Sequence, residues 1–65
     1  MHQEIQIFSA LDQDIFMSQL RSQIHKLNTI IFNLENQRTD FSYAAMLVKE
    51  IEKNLRRIRK TWLEN

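Results

Sequence analysis

Cysteine, glycine and proline are all absent from this 65-residue chain. Without cysteine there can be no disulfide and no thiolate metal site. The two histidines, His2 and His25, lie far apart in sequence. Without glycine and proline the chain lacks the residues best suited to sharp turns and phosphate-cradling loops, and what is left is rich in helix formers. An excess of one charge is lacking too. The formal net charge is +1, which argues for no particular polyanion partner. No run of about 18 apolar residues occurs, so no transmembrane helix is expected. The N-terminus has no basic start followed by an apolar core, so no signal peptide is expected. A cytoplasmic location is the default, with signal-less export left open. The composition, 43% hydrophobic and 26% charged, is nevertheless too apolar for a disordered chain.

One domain spanning residues 1–65 is all this length allows. So small a fold buries only about 60% of the surface that its unfolded chain exposes. Disulfides, a metal or a partner usually make up the deficit, and here a partner is the remaining route.

What the chain does have is a broken heptad pattern. Apolar residues run at 3-4 spacing through Met17, Leu20, Ile24, Leu27, Ile31 and Leu34. The spacing restarts out of phase at Phe41, Ala44, Val48, Ile51, Leu55, Ile58 and Trp62. Continuing the first count without a break would place Arg38, Glu52 and Arg59 at core positions. Two helices, about 10–35 and 40–63, therefore fold back on each other as an all-α antiparallel hairpin, with these stripes as the seam. Ser9 and Asp12 resemble a capping box. Asp12 and Asp14 suit the positive end of the first helix dipole. Asn36 is expected to take the left-handed conformation that ends the first helix, and Thr39 and Asp40 are good N-caps for the second. Residues 1–8 read as a loosely held arm or an extra helical turn. In a hairpin, the cations Lys53, Arg56, Arg57, Arg59 and Lys60 would lie beside Asp12 and Asp14.

Apolar residues beside the seam imply a second contact surface, for another helical protein or for a second copy. Phe16, Ile30, Phe32, Tyr43 and Leu47 are the candidates, with Tyr43 and Leu47 accompanied by Met46 and Leu63. Trp62 joins them as an interface anchor, or else plugs the open end of the hairpin. The cluster Arg56, Arg57, Arg59 and Lys60 suits phosphate contacts, or forms a solvated outer face. No catalytic or cofactor motif is present. His25 lacks a partner, and Glu50 and Glu52, two residues apart on a helix, point in different directions.

The layout from about Leu11 to Trp62 resembles the small two-helix co-chaperones of type III secretion needle proteins. That resemblance implies sequestration of apolar helix surfaces, with no bond made or broken. In length and layout the chain also resembles the plasmid regulator Rop, which implies a homodimeric four-helix bundle that grips RNA. A third resemblance rests on Leu20-Arg21, Ile24, Leu27, Ile31, Leu34, Arg38 and Lys49. It is similar to the first helix of the all-helical chorismate mutases, whose Arg, Arg and Lys positions fall here at Arg21, Arg38 and Lys49, and it implies an enzyme of that kind. In that family the helix is continuous, whereas this chain breaks near Arg38.

Overall fold

A computed structural model describes residues 9–63 of the chain. It contains two helices, α1 (Ala10–Glu35) and α2 (Phe41–Leu63). The reading of residues 1–8 as an arm lies outside the described residues.

Both helix starts follow from side chains that satisfy otherwise unpaired N–H groups. Ser9 caps α1 through a complete capping box. The Asp12 backbone N–H donates to Ser9 Oγ at 3.1 Å, and the Ser9 N–H donates to Asp12 Oδ2 at 3.3 Å. At α2 the Tyr43 N–H donates to Asp40 Oδ1 at 2.8 Å.

The connection between the helices closes without glycine. α1 ends in a Schellman motif, in which the Gln37 N–H donates to the Leu34 carbonyl (3.1 Å) and the Arg38 N–H to the Asn33 carbonyl (2.8 Å). The left-handed residue is Gln37, at φ 58°, and not Asn36, whose φ is −100°. Asn36 sits one position too early for that role. Its side-chain Nδ2 instead donates back to the Phe32 carbonyl at 2.8 Å.

The helices pack antiparallel. Phe16 and Trp62 meet at the open end, with ring centroids 5.8 Å apart, and the Trp62 Nε1–H donates to Gln19 Oε1 at 2.8 Å. Midway, Asn54 Nδ2 donates to Gln23 Oε1 at 3.2 Å. Toward the turn, Ile30, Ala44 and Ile51 form the buried core, with Leu34 and Leu47 packed against it. The contact line therefore runs through Phe16, Gln19, Gln23, Ile30 and Leu34 on α1, and through Ala44, Leu47, Ile51, Asn54, Ile58 and Trp62 on α2.

This line corrects the expected seam. In α1, Met17, Ile24, Leu27 and Ile31 are exposed, and in α2 so are Phe41, Val48 and Leu55. α1 has turned so that Gln23, 7% exposed, occupies the place expected of Ile24. The Gln23 and Gln19 amides find partners on α2 there, which removes the penalty for burying them. The cation-rich end of α2 does lie beside the start of α1, where Trp62 meets Phe16. Among the described residues no ion pair joins Asp12 or Asp14 to Arg56, Arg57 or Lys60; the Lys53–Glu50 pair, at 3.7 Å, lies within α2.

Candidate interaction surface

An α-helix advances about 100° per residue, so the next residue along points to an adjacent face. On α1 the residues turned toward α2 include Phe16, Gln23 and Ile30. One position on from each lie Met17, Ile24 and Ile31, all exposed. On α2, Leu47 and Asn54 face α1, and one position on lie Val48 and Leu55, also exposed. Phe41, seven residues before Val48, extends the same line and is 84% exposed.

The two lines share one side of the hairpin. An antiparallel pair has an approximate two-fold axis normal to its own plane. Equal rotation along each chain therefore leads to the same face. Met17, Ile24, Ile31, Phe41, Val48 and Leu55, with Leu27 between them, thus form a continuous apolar face that spans both helices. Ile24 and Ile31 are 54% and 51% exposed. On the opposite face stand Ile15, Ser22 and Thr29 on α1 and Tyr43, Glu50 and Arg57 on α2. That side is mixed and mostly polar. The whole hairpin is amphipathic, as a single helix would be.

The six residues expected to bind a partner part company. Ile30 is in the core and Leu47 packs against it, so both hold the hairpin together. Phe16 and Trp62 are half-buried against each other. Phe32 and Tyr43 remain exposed, away from the apolar face, and the Arg38 guanidinium lies 5.6 Å from the Phe32 ring centroid.

The expected phosphate-contact residues spread around α2. Arg56 and Lys60, with Lys49 and Lys53, line its outer flank at helical spacing and are exposed. The Arg57 Nη2 donates to Asn54 Oδ1 at 3.4 Å. Arg59 borders the apolar face.

Arg21 and Lys49 fall on opposite outer flanks of the hairpin, and Arg38 lies in the turn beyond the end of α1. These three cations do not converge. An open groove of about 520 Å³ on the polar side is lined by residues including His25, Lys26, Ile30, Leu47, Glu50 and Asn54. Among the described residues no cluster of three or more His, Asp or Glu side chains is placed to hold a metal. Among them too, no helix is long and apolar enough to cross a membrane.

The inter-helix polar contacts Gln19–Trp62 and Gln23–Asn54 were not foreseen from sequence. A signal for them exists: Phe16, Gln19, Gln23, Ile30 and Leu34 keep a helical spacing whose middle members happen to be amides. Comparison with known protein families, curated proteins and solved structures finds no match for this chain.

Proposed function

We propose that this chain is a small helical protein–protein interaction module of the adaptor or co-chaperone kind, which acts by covering apolar helix surface and catalyses no reaction. One observation carries the reading: seven large apolar side chains, Met17, Ile24, Leu27, Ile31, Phe41, Val48 and Leu55, lie exposed on one face of the hairpin. Scattered surface apolar residues are ordinary, but a contiguous patch that spans two helices marks a binding surface. The complementary ligand is itself helical, because a groove between two parallel apolar stripes receives an amphipathic helix along its length. The resemblance to needle-protein co-chaperones supports the same mode of action.

The test is co-expression and thermal unfolding. Covering the face should raise the melting temperature well above that of the isolated chain. An isolated chain that melts cooperatively as a monomer, unchanged by Ile24→Lys and indifferent to any helical protein supplied, would reject the reading. The Rop-like alternative draws on the exposed line Lys49, Lys53, Arg56 and Lys60 on the outer flank of α2. It requires RNA binding that weakens steeply with salt, and unchanged RNA mobility at low salt would eliminate it.

A further inference from the structure

The apolar face belongs to the interaction-module reading above, and the inference that follows rests on it. We infer that the occupant of this face is a second copy of the same chain, packed face to face so that α1 of each hairpin lies over α2 of the other and both turns sit at one end of a four-helix bundle.

Area is the first argument. The seven side chains are between 36% and 84% exposed. At roughly 200 Å² for a fully exposed large side chain, they offer about 600 Å² per copy. The neighbouring Leu20 and the aliphatic stem of Arg59 border this face and extend it toward the roughly 800 Å² per partner of a standard interface. A single guest helix would cover the groove between the stripes but leave their outer edges wet. A second hairpin brings two stripes to meet two.

Charge sets the arrangement. α1 carries three carboxylates and two cations, whereas α2 carries two carboxylates and six cations. Stacking α2 on α2 would place two strongly basic helices side by side. Stacking α1 on α2 places each basic helix against the helix with an excess of acid. Neighbouring helices are antiparallel in this bundle and equally so with the turns at opposite ends, so the side-chain charges and not the helix dipoles choose between the two. With a net charge of only +1 per chain, two copies do not repel as wholes.

Sedimentation equilibrium of the purified full chain over a wide concentration range tests the inference. The expected result is a dimer, with Ile24→Lys weakening association at least tenfold and Met46→Lys leaving it unchanged. Met46 is 64% exposed but lies off the apolar face, so it controls for the cost of a new lysine on a helix surface. The chain has no native cysteine, so Asn36→Cys carries a single spin label at the turn. Two labels within roughly 20 Å, about two interaxial spacings, support turns at one end. A separation near the helix length of about 39 Å places the turns at opposite ends and overturns the inference. A chain that stays monomeric at all concentrations also overturns it. If such a monomer binds a hydrophobic dye, and Ile24→Lys abolishes that binding, the interaction-module reading survives alone. If the monomer binds no dye and Ile24→Lys melts like the parent, both readings fall.

Discussion

Replacing Gln23 and Asn54 together by leucine should stabilise the hairpin by about 2–3 kcal/mol. The pair contributes one neutral hydrogen bond of 3.2 Å between the helices, worth about 0.5–1.5 kcal/mol net. Gln23 is 7% exposed, so a leucine there gains nearly the whole 1.5–3 kcal/mol of side-chain burial. Asn54 is half-buried and gains about half as much. Replacing both partners leaves no orphaned amide between them, although the Arg57 guanidinium loses its acceptor on Asn54. Gln23→Leu alone offsets its gain, because the Asn54 amide loses its acceptor at the contact. Thermal unfolding at fixed chain concentration is the assay, since any association makes the midpoint concentration-dependent. For a domain of this size each kcal/mol moves the melting temperature by about 4–8 °C, so the double variant should melt about 10 °C or more above the parent. A double variant that melts below the parent would refute the reasoning. It would show that the polar layer contributes more than a neutral hydrogen bond can, or that leucine at these heights does not fit between the helices.

Further substitutions probe the ends of the helices. Gln37→Gly should raise stability by about 1 kcal/mol, because φ 58° costs a residue with a Cβ and not glycine; chemical denaturation with an unchanged slope would register it. Asp40→Ala removes the acceptor of the Tyr43 N–H and should lower stability by about 1 kcal/mol, with the loss of helical circular dichroism on heating beginning earlier. Thr39 Oγ1 is buried with no hydrogen-bond partner, so Thr39→Val should be neutral or stabilising by up to about 1 kcal/mol in the same unfolding assay.

The elements were legible because local chemistry sets them. Ser9 with Asp12, and Asp40 ahead of Tyr43, act within four residues, and each satisfies a donor that any helix start leaves free. The heptad phase break marked the connection correctly, because an unbroken first count would have put Arg38, Glu52 and Arg59 in the core. The residue that turns the chain was harder to see. Gln37 has no intrinsic preference for the left-handed region, and it adopts that region because the two Schellman hydrogen bonds and the packing beyond require the chain to reverse there. Asn36 looked the better residue for that conformation, but residue preference does not fix position to within one residue.

The rotation of α1 was the larger departure, and the proposed function rests on it. The most regular apolar repeat, Met17 through Leu34, points from sequence alone to a hairpin seam. The helices meet instead along the line one residue earlier, through Phe16, Gln23 and Ile30. Periodicity shows that a stripe is apolar but not which neighbour covers it. A two-helix protein with a richer and a poorer stripe on each helix can use either for its own contact. Using the poorer one, with Gln19, Gln23 and Asn54 in it, leaves the richer one outside. Covering that face would contribute about 5–10 kcal/mol from the exposed fractions of its seven side chains, which is comparable to the whole folding stability of a small domain. Among the described residues the buried apolar side chains number three, Ile30, Ala44 and Ile51, with Leu34 and Leu47 packed against them. Covering the outer face would therefore add substantially to a thin core. Under the proposed face-to-face pairing, folding and association are coupled: diluting the chain or blocking its apolar face is predicted to lower the helical content itself, as circular dichroism over a concentration series would register.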